Sequence, residues 1–261
     1  MWHAEHNANS YCIVDIKPIT IEDLTEVITC AKFHPLHCNI LAYSTSKGSI
    51  KIADLRDSAL VDEKCSCVLG GASSADNSSF FSEITSSISD ISFCRGKENL
   101  IASRDFMNVR VWDIRHDASP LCTLPVHDYL KPKLCDLYEC DALFDKFTVD
   151  FSSDGKFVAT GTYNNRIRIL PIDVEENPYL DTLTAEKSIL TGGIRGKNQA
   201  LSKQSPVEAG AQLKEIDPEL IDYEKKVSFI ALHPKDKCIS VAASTNLFMF
   251  TNLSASPKNS I

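Results

Sequence analysis

The residues that set the fold are NVRVWDI at 108–114. Apolar Val109 and Val111 alternate with polar neighbours, which is typical of a β-strand with one buried face. The stretch then ends on the pair Trp112-Asp113, the signature that closes a blade of a WD-repeat β-propeller. One such ending also arises by chance, so the prediction depends on whether the pattern recurs along the chain.

The same pattern recurs in four units, each with an alternating strand, a strand of small residues and a third strand, separated by turns. The aligned residues Phe33, Phe93 and Phe151 stand 60 and 58 residues apart, whereas a plain WD blade repeats roughly every 40–45 residues. Each unit therefore carries an insertion. We predict an all-β fold, a partial WD-repeat β-propeller of about four blades in one domain over residues 1–253, with units at about 28–56, 86–115, 146–173 and 226–253.

The insertions are expected to carry function, because loops at a propeller rim vary freely while the blades support one another. Residues 16–29 include the sequence TIED at 20–23, which predicts a short helix with an apolar stripe. Residues 70–87 and 125–147 contain most of the remaining insertion aromatics. Residues 174–226 lack periodicity and predict a flexible loop, and residues 254–261 predict a tail.

Composition excludes several classes of protein. The chain has 261 residues, 43% of them hydrophobic, and a net charge of −8, so it can bury a core but offers no basic field for nucleic acid or an anionic membrane. It contains neither a signal peptide nor an apolar run long enough to span a membrane, so we expect it in the cytoplasm and also in the nucleus. Its ten cysteines form no C-x-x-C pair, so no disulfide framework is expected.

No catalytic or cofactor motif is complete. Residues 192–198 superficially suggest a phosphate-binding loop, but Thr191 and Asn198 stand where a Walker motif needs Gly and Ser or Thr. The histidines and cysteines at 34–38 and 65–67 lack a second pair at zinc-ligand spacing. We therefore predict a protein that is not an enzyme and that needs no metal or cofactor.

The insertions carry a more specific signal than the repeat. The stretches VDIKP (14–18), EDLTEVIT (22–29), SFFSEI (79–84), KLC (133–135) and FDKF (144–147) resemble, in this order, the family of 55-kDa B-type regulatory subunits of protein phosphatase 2A. The resemblance covers roughly residues 1–173 and 225–253. It implies a seven-bladed propeller that binds a scaffold subunit and presents phosphoprotein substrates to the catalytic subunit, without chemistry of its own.

The resemblance also implies a substrate-facing surface built from apolar loop residues beside an acidic groove. The matching positions in this chain are Ile21, Leu24, Val27, Phe80, Phe81, Tyr138, Phe144 and Lys146. Large apolar side chains in insertions suit the anchors of a pocketed interface. Alternatively, Leu24, Val27 and Phe144 simply hold their loops on the propeller.

The match begins at the end of the family's third blade, so the chain resembles an N-terminally truncated member. The hairpin that grips the scaffold has no counterpart here, which makes contact with the scaffold doubtful. Two alternatives to a phosphatase regulator therefore stay open: a WD-repeat adaptor outside the phosphatase complex, and an inert truncated product. We also hypothesise that residues 1–6 pair as an outer strand with residues 247–252 of the last unit.

Overall fold

The computed structural model describes residues 14–16, 20–57, 65–70, 80–116, 119–172, 181–184 and 218–251. The strands in these residues are β1 (Ile28–Phe33), β2 (Ile40–Thr45), β3 (Ser49–Asp54), β4 (Cys67–Gly70), β5 (Asp90–Phe93), β6 (Leu100–Arg104), β7 (Asn108–Asp113), β8 (Cys122–Pro125), β9 (Val149–Phe151), β10 (Phe157–Gly161), β11 (Arg166–Pro171), β12 (Asp181–Thr184), β13 (Val227–Leu232), β14 (Cys238–Ala243) and β15 (Asn246–Thr251). The α-helices are α1 (Phe80–Thr85) and α2 (Leu134–Glu139), and 3-10 helices cover Ile21–Asp23, Asp128–Lys133, Ala142–Phe144 and Pro218–Leu220. No helix in the described ranges has the length and apolar character needed to cross a membrane.

The strands form four antiparallel sheets in chain order. The first sheet has the order β1-β2-β3-β4, the second β5-β6-β7-β8, the third β9-β10-β11-β12 and the fourth β13-β14-β15. Tight turns join neighbouring strands: Asn164 and Asn165 adopt φ of 56° and 52° between β10 and β11, as the two central residues of a type I′ hairpin require. This architecture confirms the predicted all-β partial WD-repeat propeller.

Each sheet packs its apolar face against the next sheet. Ala42, Ile50 and Ile52 of the first sheet share a buried cluster with Ile91 and Trp112 of the second. Two further clusters join the second sheet to the third and the third to the fourth. Because both faces of the second sheet are covered, β5 and β6 are buried at every position, including their polar residues Asp90, Ser92, Ser103 and Arg104.

Two carboxylates link neighbouring sheets. Each lies on the first strand of its sheet, which is here called the inner strand. Asp90 of β5 lies 2.7 Å from the Lys32 ammonium of β1 and accepts a hydrogen bond from the Val149 amide of β9 at 3.0 Å. Asp150 of β9 accepts bonds from the Ser92 hydroxyl of β5 at 3.1 Å and from the Leu232 amide of β13 at 2.9 Å. Each carboxylate therefore contacts the sheet before and the sheet after its own.

The structure adds strands beyond the predicted units. The first three sheets gain a fourth strand, β4, β8 and β12, at residues that follow the predicted units 28–56, 86–115 and 146–173. Within the segment 174–226, predicted as one flexible loop, β12 pairs with β11 and the Tyr223 ring contacts that of Tyr163 at 5.2 Å. The sequence did not reveal β12 because four residues are too few to show a period. The rest of that loop, the predicted tail 254–261 and the strand proposed at residues 1–6 lie outside the described residues.

Gly161 lies where the third sheet packs against the fourth, so a substitution there tests how tightly the sheets are packed. A methyl group at Gly161 would overlap the Val227 carbonyl oxygen and approach its Cγ1 to 2.7 Å. We expect Gly161→Ala to lower the free energy of unfolding by about 1–3 kcal/mol, because neither backbone can move freely. Urea denaturation measures this. Ser66→Thr, which adds a methyl at an exposed position, serves as the control, and equal stability of the two variants would show that the junction is loosely packed.

Candidate functional site

The second insertion (70–87) contains α1, between β4 and β5, and the third insertion (125–147) contains α2, between β8 and β9. In α1 the Thr85 hydroxyl donates a hydrogen bond to the Phe81 carbonyl at 2.8 Å, which closes its last turn. After α2 the chain turns at Asp141, whose φ of 60° lies in the left-handed region, and continues into the 3-10 helix Ala142–Phe144. Asp tolerates this conformation better than most residues. These turns bring Phe80, Tyr138 and Phe144 to one surface.

Four aromatic side chains from these insertions form a contiguous group, here called the aromatic cluster (Phe80, Phe81, Tyr138 and Phe144). The Tyr138 ring lies 5.5 Å from Phe80, 6.2 Å from Phe81 and 5.8 Å from Phe144, between ring centroids. Phe80 and Phe81 also meet edge to face at 5.4 Å. Phe80, Tyr138 and Phe144 are nevertheless 61%, 41% and 52% exposed. Edge-to-face contacts thus hold large apolar surfaces in place without removing them from water.

A buried apolar cluster supports these rings from below. Its fully or nearly fully buried members are Phe106, Met107, Leu130, Leu137, Ala142, Leu143, Phe147 and Tyr163. Phe81 and Ile84 of α1 pack against it, as do Tyr129 and Leu134 of the third insertion. The insertions are therefore fixed on the propeller by a small core of their own, and the aromatic cluster is the outer part of that core.

An ion pair ties the third insertion to the fourth sheet. The Lys226 ammonium, next to β13, bonds Asp145 Oδ1, and the Tyr163 hydroxyl lies 3.0 Å from Asp145 Oδ2 and 2.9 Å from the Ala142 carbonyl oxygen. Burial and then the neighbouring Asp145 raise the pKa of Tyr163, which keeps the phenol protonated as a donor. Asp145 stands between Phe144 and Lys146, so this contact sets the backbone position of both neighbours.

A buried arginine supports the turn below the second insertion. The Arg104 guanidinium donates to the carbonyl oxygens of Asp105, Phe106 and Asn108, the last two at 3.1 Å, and lies 5.5 Å from the Phe147 ring centroid. Burial lowers the pKa of Arg104 to about 10, so the group stays charged at neutral pH. Its charge is stabilised by carbonyl dipoles and an aromatic face.

His127 completes this buried network in its neutral form. Its Nδ1 lies 2.7 Å from the Phe106 carbonyl, and its Nε2 lies 2.8 Å from the Thr162 hydroxyl. The carbonyl can only accept, so Nδ1 carries the proton and Nε2 accepts from Thr162. Burial, and then the nearby Arg104 and Arg168, hold the pKa of His127 well below its usual value.

The first insertion forms a separate apolar depression. Leu24 and Val27, both about half exposed, line it with Val14, Ile16 and Ile28, and its volume is about 410 Å³. Asp15 and Glu26 also border it, and Glu26 pairs with the Lys51 ammonium at 3.1 Å. The helix predicted here is only the 3-10 turn Ile21–Asp23, in which the Asp23 amide donates to the Thr20 carbonyl. Three residues cannot form an apolar stripe.

The structure thus distributes the predicted surface residues over two places. Phe80, Phe81, Tyr138 and Phe144 come together in the aromatic cluster, whereas Leu24 and Val27 border the depression. Lys146 is exposed beside Asp145, and the side chain of Ile21 lies outside the described set. Sequence reasoning missed Asp145, Tyr163 and Lys226, which support the cluster. Asp145 and Lys226 stand 81 residues apart, and no local pattern connects them.

His34, which was considered as a metal ligand, has a structural role. His34 Nδ1 accepts from the Leu36 and His37 amides at 3.2 and 3.0 Å, and its Nε2 donates to the Glu98 carbonyl at 3.0 Å. Both ring nitrogens are therefore occupied. Among the described residues, no group of three or more His, Cys, Asp or Glu side chains is placed to hold a metal ion, and the nine described cysteines are free thiols.

Comparison with known proteins finds relatives over nearly the whole chain. No protein-family model matches it. It is 40% identical, over 97% of its length, to the PP2A regulatory protein of type B from Schizosaccharomyces pombe. It is 42% identical, over 96%, both to "Serine/threonine-protein phosphatase 2A regulatory subunit phr2AB" of Dictyostelium discoideum and to "Protein phosphatase PP2A 55 kDa regulatory subunit" of Drosophila melanogaster. The alignments cover 57%, 51% and 48% of these relatives, so the chain spans about half their length.

The neutral state of His127 makes stability depend on pH. Because the pKa of His127 in the folded chain lies below the value of about 6.5 expected in the unfolded chain, acid protonates the unfolded state first. Neutral His127 therefore contributes fully to the free energy of unfolding above about pH 6.5. Below that pH the free energy of unfolding falls by up to about 1.4 kcal/mol per pH unit, until the pH reaches the pKa of His127 in the folded chain. Urea denaturation at about pH 7 and about pH 5.5 measures the loss.

We expect His127→Gln to flatten this pH dependence, since glutamine does not titrate. The control is His116→Gln, which removes an exposed histidine. If both variants kept the slope of the original chain, acid destabilisation would arise elsewhere.

Proposed function

Because the chain belongs to the family of 55 kDa B-type regulatory subunits of protein phosphatase 2A, we propose that it is a non-catalytic regulator that contributes to substrate recognition by this phosphatase. Its partners on this proposal are the scaffold and catalytic subunits and phosphoprotein substrates, with neither nucleic acid nor membrane involved. We place it in the cytoplasm and also in the nucleus. In the described part of the chain, buried ionisable side chains such as Arg104, Asp105 and His127 take part in structural contacts, which supports a binding role.

The observation that most directly supports the proposal is the exposure of the aromatic cluster. Phe80, Tyr138 and Phe144 expose 41–61% of their surfaces although they lie side by side. Aromatic side chains held rigidly by a core lose little conformational entropy on binding, and such residues dominate the affinity of protein interfaces. The cluster is therefore suited to hold an apolar anchor of a partner.

The charges near the aromatic cluster indicate the chemistry of that partner. Glu83 of α1, Asp136 and Glu139 of α2 and Asp141 are all exposed. Lys131 and Lys133 of the preceding 3-10 helix pair with Asp128 and Glu219, whereas Lys146 adds one exposed cation. With the net charge of −8, this favours a substrate segment that combines apolar anchors with Lys or Arg.

The apolar depression at Leu24 and Val27 supplies a second contact of the same kind. Its apolar lining suits an aliphatic side chain of the same substrate, whereas Glu26 at its border is already paired with Lys51. A substrate that reached both places would gain affinity from two moderate contacts within one chain.

Association with the phosphatase is tested by adding the purified, tagged chain to the scaffold and catalytic subunits and recovering it on beads. We expect a ternary complex. Recovery of the folded chain with neither subunit would reject the phosphatase role and favour an adaptor outside the complex. A chain that shows no cooperative thermal unfolding would instead indicate an inert product.

Substrate docking is tested with a labelled peptide that carries leucine and phenylalanine anchors among arginines, by fluorescence anisotropy. We expect the double variant Phe80→Ala, Tyr138→Ala to bind about 10-fold or more weakly, because two exposed anchors are removed. Leu121→Ala is the matched control, since Leu121, directly before β8, is 54% exposed. A peptide with glutamates in place of the arginines should bind poorly to all forms. Equal binding of the arginine peptide by the double variant would reject the cluster as a docking site.

A further inference from the structure

Residues 218–226, here called the strap, lie against the third insertion and lead into β13. The 3-10 helix at the start of the strap lies beside the 3-10 helix Asp128–Lys133 of the insertion, and there the Glu219 carboxylate is 3.4 Å from the Lys133 ammonium. Further along the strap, Ile221 and Tyr223 pack against the buried apolar cluster that supports the aromatic rings. The strap thus contacts the insertion that carries Tyr138 and Phe144 without being part of it.

Hydrogen bonds fix the strap to the hairpin turn between β10 and β11. The Asp222 amide donates to Asn164 Oδ1 at 2.9 Å, and the Asn165 amide donates to the Lys225 carbonyl at 3.2 Å. Both asparagines belong to the type I′ turn, whose backbone is set by the two strands that it joins. The turn therefore holds the strap in a defined position relative to the third sheet.

The Tyr223 ring is the first link between the strap and the aromatic cluster. It meets the Tyr163 ring edge to face at 5.2 Å between centroids. The Tyr163 hydroxyl in turn lies 2.9 Å from the Ala142 carbonyl oxygen, in the 3-10 helix that ends at Phe144. Loss of the Tyr223 ring would therefore remove a support of Tyr163 and of the helix bonded to it.

Lys226 is the second link. Its ammonium bonds Asp145, the residue directly after Phe144. The neighbouring Lys225 has a different partner, since its ammonium lies 3.1 Å from Asp222 within the strap itself. Two adjacent lysines thus differ in whether they reach the insertion.

The strap is held by shallow contacts. Ile221, Tyr223 and Lys226 are only partly buried, and Leu220 is 78% exposed. Residues 221–225 belong to no helix or strand. Segments with few buried contacts open at a lower free energy than the strands of a core. We therefore expect the strap to detach while the sheets stay folded.

We propose that the strap positions the aromatic cluster, and that attachment of the strap is coupled to binding of a partner by the cluster. The coupling rests on the docking role proposed above. With the strap attached, Tyr163 and Asp145 hold Phe144 beside Tyr138. With the strap detached, a partner must order these rings itself, which weakens binding. Linkage is reciprocal, so a partner bound to the cluster tightens the strap.

Amide hydrogen exchange of the free chain tests the positioning role without a partner. The Phe144 and Asp145 amides donate to the Asp141 and Ala142 carbonyls, and we expect both to exchange faster in Tyr223→Ala than in the original chain. Tyr223→Phe keeps the ring and should exchange like the original chain. Unchanged exchange of both amides in Tyr223→Ala would overturn the proposal. So would an equal loss of protection in β6 and β7, because the chain would then open as a whole.

The two lysines provide a matched pair for partner binding, measured with the arginine peptide described above. Lys226→Met should weaken binding about 5-fold or more, whereas Lys225→Met, with the same change in charge, should bind like the original chain. An Asp145 carboxylate freed from Lys226 would by itself attract the arginines, so weaker binding would report lost positioning. Equal binding by the two variants would overturn the coupling.

Reciprocal coupling separates this inference from the docking role on which it rests. Saturating peptide should slow exchange of the Asp222 amide, which lies on the strap. If the peptide binds but leaves this amide unchanged, and Tyr223→Ala binds it equally well, the coupling is wrong and the docking role stands. If the peptide does not bind the original chain, the docking role and the coupling are both wrong. Exchange of the Phe144 amide in the free chain then decides whether the strap positions the cluster.

Discussion

The carboxylates of Asp90 and Asp150 fix how the sheets stack. Each sits on an inner strand and bonds to the sheets on both sides of its own, through Lys32 and Val149 for Asp90 and through Ser92 and Leu232 for Asp150. Apolar burial drives the sheets together but is not directional. The bonds to specific backbone amides add the direction, because a hydrogen bond to a buried carboxylate loses its strength when the strand shifts by one residue.

The rigid stack of sheets allows the insertions to hold exposed aromatic rings. Phe80 and Tyr138 come from insertions on different sheets, and their 5.5 Å contact requires that those sheets stay in fixed relation. Tyr163, in the turn between β10 and β11, and Lys226, next to β13, then fix the third insertion through Asp145. A binding surface of this type depends on packing across several elements, so substitutions in the distant core are expected to shift the rings of the aromatic cluster.

The same packing leaves the two end sheets different from the inner ones. The middle sheets have both faces covered, whereas in the described part of the chain the first and fourth sheets each retain a face with large apolar residues that are 40–77% exposed. Each sheet has two faces with apolar residues because all four are built from the same repeat.

Local sequence was enough to specify the first three strands of each sheet, their turns and the positions of the insertions, since period-two alternation and turn residues such as Asn164-Asn165 act over a few neighbours. The repeat spacing also placed Phe80, Phe81, Tyr138 and Phe144 in insertions, and the resemblance then assigned them to a substrate-facing surface. Tertiary packing was needed to show that these four rings meet, that Asp145 bonds Lys226 across 81 residues, and that residues 181–184 form a strand. Such contacts follow from the order in which the sheets stack, and that order joins residues far apart in the chain without leaving a local pattern.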